Sequence, residues 1–206
     1  MFVWFDLPRG FKRMKKSFDV LIVGIGGQGT ILASNVLGDA CVIEGRHVRG
    51  AETHGMSQRG GSVETHIRID GKFGPLIAPG TADLLLAFDV LEAVRYRHFL
   101  KPDGTMVVNR EMVVPTSVFS GKQPVPKMED VEAELKAGNA NIILVDATSI
   151  AAQAGNPLAA NIVLLGAASH KLPLAIESLS EAVRRNVPPK TVQINEKAFD
   201  LGKEAV

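Results

Sequence analysis

The sequence predicts an α/β fold, a three-layer αβα sandwich around a Rossmann-like, mostly parallel sheet with a β-hairpin insertion. An apolar run over residues 18–23, typical of a buried strand, is followed by a glycine-rich turn. Apolar residues then recur at helical spacing over residues 30–43. A second unit repeats this order, with an apolar run over residues 84–88, a helical pattern and a strand at 105–109. Strand–helix–strand crossovers of this kind produce parallel neighbours.

The hairpin insertion is predicted at residues 62–74. Residues 62–69 alternate between apolar and polar side chains, as a half-buried strand does. The Asp-Gly pair at 70–71 is a hairpin turn signal, and residues 72–74 are predicted to begin the returning strand. This alternation predicts that His66 lies on the polar, solvent-exposed face of the strand.

The remaining elements follow from capping residues and apolar patterns. Asp89 and Asp146 each precede a helical pattern, so each is predicted to cap a helix N-terminus. The helix predicted at 159–169 is apolar all round and rich in small residues, so we expect it to be part core and part interface. The other predicted elements are a helix at 90–99, an irregular segment at 111–127, a helix at 128–138, a strand at 141–145, a helix ending at 154, a helix ending at 183 and a C-terminal helix at 191–203.

Length and composition predict one domain over residues 18–206, preceded by an N-terminal extension over residues 1–17. Of the 206 residues, 46% are apolar, which provides for a sizeable core. The 23 basic and 22 acidic residues leave a net charge of +1, which argues against a nucleic-acid partner. No apolar run reaches the ~20 residues of a membrane-spanning helix, and a basic run after an apolar start is the reverse of a secretory signal. We therefore expect a soluble, cytoplasmic protein without membrane association.

Cysteine and histidine content limits the redox and metal chemistry of this chain. Cys41 is the one cysteine of the sequence, so no internal disulfide can form. We expect its side chain to pack as a small apolar group on the first helix. An iron–sulfur cluster usually takes four thiolates, and the five histidines show no metal-ligand spacing with acids or with the cysteine. The sequence therefore predicts no metal site.

The glycine-rich turn is the first candidate binding site. The spacing Gly24–x–Gly26–x–x–Gly29 matches the dinucleotide fingerprint, in which N–H groups at a helix start bind a phosphate. The alternative is that these glycines only shape a tight turn. The residues predicted to bind a cofactor are Gly24, Gly26, Gly27, Gln28 and Gly29, together with Gly60 and Gly61 of the loop described below.

The second half of the fingerprint is incomplete. It requires an acidic residue about 20 positions on, at the end of the second strand, to hold a ribose. Glu44 has nearly that spacing but lies at a predicted helix end, and Glu52 lies further along the chain.

The polar loop over residues 52–62 is the second candidate site. Glu52, His54 and Arg59 provide a carboxylate, an imidazole and a guanidinium, the groups of an acid, a base and an anion clamp. Loops that follow the strands of α/β sheets carry many binding residues. The alternative is a solvated loop with a turn at its glycines.

The sequence contains no serine nucleophile elbow, no Cys-x-x-Cys pair and no Gly-Lys-Ser/Thr phosphate loop.

Together these motifs resemble the gamma-type subunits of the 2-oxoacid:ferredoxin oxidoreductases, in particular the beta subunit of the indolepyruvate enzymes. The resemblance is carried first by the Gly-x-Gly-Gly-Gln-Gly turn at 24–29 and by the Glu-x-His-Gly-Met-x-Gln-Arg-Gly-Gly-Ser loop at 52–62. It covers nearly everything from Phe18 to Gly202. Further family-like segments follow in the same order at residues 75–77, 82–88, 91–93, 156–161 and 165–166.

The resemblance implies an accessory subunit of an enzyme that oxidatively decarboxylates a 2-oxoacid to an acyl-CoA and passes the electrons to ferredoxin. It implies that a large alpha subunit holds thiamine diphosphate, Mg²⁺ and the iron–sulfur clusters, and that this chain holds no cofactor firmly and is inactive alone. It also implies that the 52–62 loop faces the partner's active site, and it allows a contact of this chain with CoA there. Our own hypothesis is that Arg59 binds a carboxylate or a phosphate there through bidentate hydrogen bonds.

Two other hypotheses remain. One is a freestanding Rossmann-type oxidoreductase that binds NAD or FAD, which the glycine turn favours and the missing acidic residue weakens. The other is a non-enzymatic nucleotide- or CoA-binding module, in which the turn holds a phosphate for regulation.

Overall fold

The computed structural model describes residues 16–54, 61–114, 118, 124–137 and 141–206. Among these residues six strands form one sheet in the order β2-β3-β1-β4-β5-β6. Strands β1, β4, β5 and β6 are parallel neighbours, whereas β3 is antiparallel to both β1 and β2. The predicted mostly parallel sheet is therefore confirmed. The strands are β1 (Phe18–Ile25), β2 (Val48–His54), β3 (Ser62–Ile69), β4 (Ala82–Ala87), β5 (Leu100–Asn109) and β6 (Asn141–Val145).

Helices cover both faces of the sheet. One apolar core lies between the sheet and α1, α4, α5, α6 and α7, and a second lies between the opposite face and α2 and α3. The predicted three-layer αβα sandwich is confirmed. The helices are α1 (Thr30–Ile43), α2 (Val90–Tyr96), α3 (Met128–Lys136), α4 (Ala147–Ala154), α5 (Ala160–Ala168), α6 (Ile176–Asn186) and α7 (Val192–Glu204).

The central strand β1 explains why the sequence shows unbroken apolar runs. Val20 and Ile22 belong to the first core, and Leu21 and Val23 belong to the second. All four are fully buried. A strand buried on both faces has no polar side, so its sequence does not alternate.

The predicted helix caps are confirmed. The Asp89 carboxylate accepts hydrogen bonds from the amides of Leu91 and Glu92 at the start of α2. Asp146 accepts one from the amide of Ser149 at the start of α4. Each cap satisfies amides that have no partner within the helix.

The sheet contains a β-hairpin, but its predicted position at residues 62–74 is wrong. β3 pairs with the preceding strand β2, while residues 72–74 form no strand. The carbonyls of this segment accept hydrogen bonds from arginine side chains instead, Gly71 and Phe73 from Arg49 and Gly74 from Arg68. Because these carbonyls are satisfied by guanidinium groups, the segment needs no second strand.

His66 is buried, so its predicted exposure is wrong. It is 3% exposed, and its Nδ1 accepts a hydrogen bond from the amide of Ile77 at 3.2 Å. Its ring packs edge-on against Phe99. The polar face of β3 is covered by the segment that follows the strand, which an alternating pattern cannot reveal.

Strand β5 begins earlier than predicted and helix α2 ends earlier. Residues 102–104, which separate the predicted helix at 90–99 from the predicted strand at 105–109, lie inside β5. The pairing of β5 with β4 shifts register there, between Ala82 and Leu84 of β4. α2 ends at Tyr96, and residues 97–99 continue as a 3-10 helix. The Pro-Asp-Gly sequence at 102–104 therefore marks an irregularity within the strand, not its boundary.

Helix α5 is buried within this chain, which confirms its predicted role in the core and contradicts its predicted role as an interface. Every residue from Asn161 to Ala168 is buried by the chain's own elements. Its small residues instead allow close packing against α7, because Gly166 faces the backbone of Phe199 and Gly202 faces that of Val163.

The Cys41 thiol is expected to be inert in the folded chain. Its side chain is fully buried on α1, which confirms that it packs as an apolar group, and burial raises its pKa to about 12. Only the thiolate reacts with alkylating agents. Iodoacetamide at pH 8 should therefore leave Cys41 unmodified in native buffer and modify it fully in guanidinium chloride, as measured by intact mass. Equal labelling under both conditions would contradict this packing.

Candidate functional site

The glycine turn connects β1 to α1 at the carboxyl edge of the sheet. A Cβ atom on Gly24 would lie 2.9 Å from Oε1 of Gln28 and 3.2 Å from Cβ of Phe88. Gly29 caps α1 with φ of 85°, and a side chain there would collide with Asn161. Both positions therefore require glycine, the first for close packing and the second for its left-handed backbone.

Gln28 ties the turn to the end of the neighbouring strand. Its Oε1 accepts a hydrogen bond from the amide of Ile25 at 2.8 Å, and its Nε2 donates to the carbonyl of Phe88 at 3.3 Å. Both polar atoms of this amide are thus engaged inside the protein. Its described bonds fix the shape of the turn.

The turn is also linked to the end of the 52–62 loop. The amide of Gly26 donates to the carbonyl of Gly61 at 2.9 Å. Gly61 directly precedes β3, whose first residue Ser62 pairs with Ile25 of β1. The two sequence motifs therefore meet at one point of the sheet edge.

A cavity of about 310 Å³ lies beside the turn at the carboxyl ends of β1, β4, β5 and β6. Parallel sheets characteristically bind ligands at this edge. Its lining includes a polar network, in which Asn109 Nδ2 and the Thr148 hydroxyl both donate to Glu111 Oε2 at 3.0 Å. The cavity is lined by Gly27, Gln28, Phe88, Asn109, Glu111, Thr148, Pro157, Leu158, Ala160 and Asn161.

The charges around this cavity limit what it can bind. The N-terminus of α1 presents backbone amides, which favour an anion. Among the described lining residues Glu111 is the one charged side chain, and its carboxylate repels an anion. An anionic group is therefore favoured at the Gly27 end, and a neutral or donor-bearing group beside Glu111.

The strand order explains why the dinucleotide fingerprint is incomplete. β3 lies between β1 and β2, so the second strand is two positions from β1, about 10 Å away. Glu44 lies at the opposite end of α1, where its Oε1 accepts a hydrogen bond from the amide of Ala175 at 2.6 Å. Neither Glu44 nor Glu52 therefore occupies the ribose position beside the turn.

The structure places Glu52 away from the glycine turn. Glu52 belongs to β2, not to a loop, and pairs with Thr65 of β3. It lines an open groove between α1 and the β2–β3 hairpin, which shares no lining residue with the cavity at the turn. His54 is the last residue of β2, opposite Val63. Arg59 and Gly60 lie outside the described residues, so the roles of these candidate residues remain predictions.

Asp89 is a buried carboxylate at the same edge of the sheet. Besides capping α2, it accepts a hydrogen bond from the amide of Val113 at 2.6 Å. Burial raises its pKa above the ordinary value of an aspartate, against the lowering effect of its backbone hydrogen bonds. Its described contacts are structural, since they join α2 to the segment after β5.

Sequence reasoning missed the polar lining of the cavity. Asn109 ends β5, Glu111 follows it, and Thr148 follows β6. Polar residues directly after buried strands were a usable signal, because the carboxyl ends of parallel strands share one edge.

No cluster of three or more histidine, cysteine or acidic residues that could hold a metal ion occurs in the part of the chain that the structure describes. Nor does any helix in those same ranges have the length and apolarity to cross a bilayer.

Comparison with known proteins identifies the family. The model of the pyruvate ferredoxin/flavodoxin oxidoreductase family matches residues 19–205. The indolepyruvate oxidoreductase subunit IorB of Pyrococcus horikoshii is 39% identical over 92% of this chain and 96% of its own. The common gamma subunit of the pyruvate/ketoisovalerate oxidoreductases of Pyrococcus furiosus is 32% identical over 81% of this chain and 84% of its own.

A solved structure shares the fold. The crystal structure of pyruvate oxidoreductase subunit PORC from Thermotoga maritima superimposes with a TM-score of 0.69 and 25% identity, covering 92% of this chain and 97% of that one. The chain belongs to the pyruvate ferredoxin/flavodoxin oxidoreductase family and is a gamma-type subunit of a 2-oxoacid:ferredoxin oxidoreductase.

Proposed function

We propose that this chain is the accessory subunit of an enzyme that oxidatively decarboxylates indolepyruvate or another aryl pyruvate to the acyl-CoA. The observation that carries the proposal is the similarity to IorB, which spans nearly both chains at 39% identity, against 32% for the pyruvate/ketoisovalerate subunit. The electrons would pass to ferredoxin through the assembled complex in the cytoplasm.

The cofactors of this reaction are proposed to lie on a large alpha subunit. An iron–sulfur cluster usually takes four thiolates, and the sequence contains Cys41 alone. That thiol is buried and holds its proton, since its pKa is raised to about 12. The residues of this chain do not fit a cluster, which supports placing the electron carriers elsewhere. Thiamine diphosphate and Mg²⁺ are proposed to lie there as well.

This chain would contribute its carboxyl edge to the partner's active site. The Gly26–Gly61 hydrogen bond joins the glycine turn to the end of the 52–62 loop. Both motifs would therefore contact the same surface of the partner subunit. The amides at the start of α1 suit a phosphate of CoA near Gly27, while Glu111 would disfavour that phosphate deeper in the cavity. A freestanding NAD or FAD enzyme is less well supported, because the ribose-binding acid is displaced by β3.

Purification of the tagged chain from its native cells under anaerobic conditions tests the assembly. The eluate should contain a large subunit with thiamine diphosphate and iron, and it should reduce a dye in an indolepyruvate-dependent and CoA-dependent manner. Reduction with another 2-oxoacid instead would correct the substrate. A chain that elutes alone with a nicotinamide or flavin would contradict the proposal.

Arg59 is predicted to act in turnover rather than in assembly. Because a guanidinium binds a carboxylate or phosphate through two parallel hydrogen bonds, the Arg59→Ala complex should lose about 100-fold in kcat/KM, roughly 2.7 kcal/mol of transition-state binding. Steady-state assays of the purified complex measure this loss, and co-elution of the large subunit should be unchanged.

Arg185→Ala is the matched control for Arg59→Ala. Arg185 lies on the exposed surface of α6, where it pairs with Glu181 four residues earlier. Such surface pairs contribute little, so this variant should keep wild-type turnover. Wild-type kcat/KM in the Arg59→Ala complex would exclude the proposed clamp.

A further inference from the structure

Glu92 is a buried carboxylate with no part in the site described so far. Its side chain is 4% exposed, on the first turn of α2. It lies three residues after the cap Asp89, a position from which a glutamate usually bonds back to the cap's own amide. Here its Oε2 instead accepts a hydrogen bond from the Ser62 hydroxyl. Its Oε1 pairs with Arg95 Nη1 at 2.8 Å.

Tyr96 also contacts the Ser62 hydroxyl that donates to Glu92. The Tyr96 hydroxyl lies 3.1 Å from Ser62 Oγ. Ser62 gives its one hydroxyl proton to the Glu92 carboxylate. Burial raises the pKa of Tyr96, which keeps this phenol protonated at neutral pH. The Ser62 hydroxyl is therefore within hydrogen-bond distance of two side chains of α2, Glu92 and Tyr96.

Ser62 is held at the junction of three elements. It begins β3 opposite Ile25 of β1, and the carbonyl of the preceding residue, Gly61, accepts the Gly26 amide of the glycine turn. Glu92 and Tyr96 of α2 both contact the hydroxyl of the next residue, Ser62. The guanidinium of Arg95, whose side chain is about half exposed, already balances the charge of Glu92. Charge pairing alone therefore does not explain why Glu92 also accepts a hydrogen bond from Ser62.

We propose that Glu92 is a positioning residue, which with Tyr96 fixes Ser62 and thereby holds the carboxyl end of the 52–62 loop against the glycine turn. The inference rests on the proposed function, in which this loop faces the partner's active site. Glu92 touches no reacting atom. It acts through Ser62, because a hydrogen bond to a buried charge is stronger than one between neutral groups.

Ser62→Ala and Glu92→Gln in the assembled complex test this proposal. Hydrogen exchange of the peptide spanning residues 24–29 reports the Gly26–Gly61 bond, and steady-state kinetics report turnover. Ser62→Ala removes a hydrogen bond to a charged group, so it should speed exchange at Gly26 by about tenfold and lower kcat by a similar factor with little change in KM. Glu92→Gln keeps an acceptor oxygen but removes the charge, so it should change both values in the same direction by a smaller factor. Ser62→Thr keeps the hydroxyl, so its exchange rate at Gly26 and its kcat should equal those of the wild type.

Ser169→Ala is the matched control. Ser169 is 2% exposed and donates to the Gly166 carbonyl at the end of α5, so the same substitution removes one buried hydrogen bond away from the loop. It should alter neither readout. Unchanged exchange at Gly26 in Ser62→Ala and Glu92→Gln overturns the proposal. Faster exchange with normal turnover overturns its catalytic part. If exchange is faster in the variants but the wild-type complex oxidises no 2-oxoacid, the link from Glu92 through Ser62 to the glycine turn is supported and the proposed function is overturned.

Discussion

Replacing Gly166 by alanine is expected to lower the free energy of unfolding by about 3 kcal/mol. Gly166 of α5 and Gly202 of α7 pack face to face, and a Cβ atom on Gly166 would collide with the backbone carbonyl of Phe199. A backbone carbonyl inside a helix cannot rotate away as a side chain can, so the two helices must separate. Both helices contribute buried residues to the first core, such as Val163 and Ala198. Urea unfolding of the purified chain, followed by circular dichroism, measures the loss.

Gly38→Ala is the matched control for this prediction. Gly38 lies inside α1, and a Cβ atom there would meet no heavy atom within 4 Å. Alanine is favoured over glycine within helices by about 0.5–1 kcal/mol, so this variant should be slightly more stable than the wild type. Equal stability of Gly166→Ala and Gly38→Ala would mean that α5 and α7 are not packed this closely.

Replacing Asp70 by alanine is expected to cost about 3–5 kcal/mol, because it leaves a buried guanidinium without its partner. The Arg46 side chain is 4% exposed, and its Nε and Nη2 donate to Asp70 Oδ2 at 2.9 and 2.8 Å. Its Nη1 donates to the carbonyl of Pro173, so the ion pair joins the base of the β2–β3 hairpin to the segment before α6. Asp70 Oδ1 also accepts the amide of His47 at 3.1 Å.

The backbone of Asp70 adds to this cost. Its φ is 54°, a left-handed conformation that aspartate and asparagine tolerate better than alanine. Asp70→Asn keeps this tolerance and an acceptor oxygen, so it should lose less stability than Asp70→Ala. Chemical unfolding of both variants measures the difference.

Asp200→Ala serves as the control for a lost ion pair. Asp200 pairs with Lys203 on the surface of α7 and is 60% exposed, so its removal should cost less than about 0.5 kcal/mol. An Asp70→Ala variant as stable as Asp200→Ala would show that the Arg46 pair contributes nothing to the folded state.

The local features of this protein were predictable from its sequence. The fold class followed from apolar runs and helical spacing, since a strand buried on both faces has no polar positions and a helix against a sheet has one polar side. The caps Asp89 and Asp146 were predictable because a carboxylate before a helical pattern satisfies amides a few residues away. The glycine turn was predictable for the same reason, since its backbone conformation is decided by the residues within it.

The arrangement of distant segments was decided by the tertiary structure. A periodic pattern reports that a strand is buried but not which strand lies beside it, so the insertion of β3 between β1 and β2 left no local signal. That insertion moves Glu52 away from the glycine turn. Burial of His66 and of helix α5 likewise depends on which elements cover them.

The candidate site shows the same division. Gly29 is required partly by Asn161, which lies 132 residues later in the sequence. The bond from Ser62 to Glu92 joins residues 30 positions apart. The sequence by itself determined the turn, its helix start and the chemistry available to this chain, because these depend on neighbouring residues and on composition. The tertiary structure decided which of those groups meet, because packing brings together residues whose separation along the chain carries no pattern.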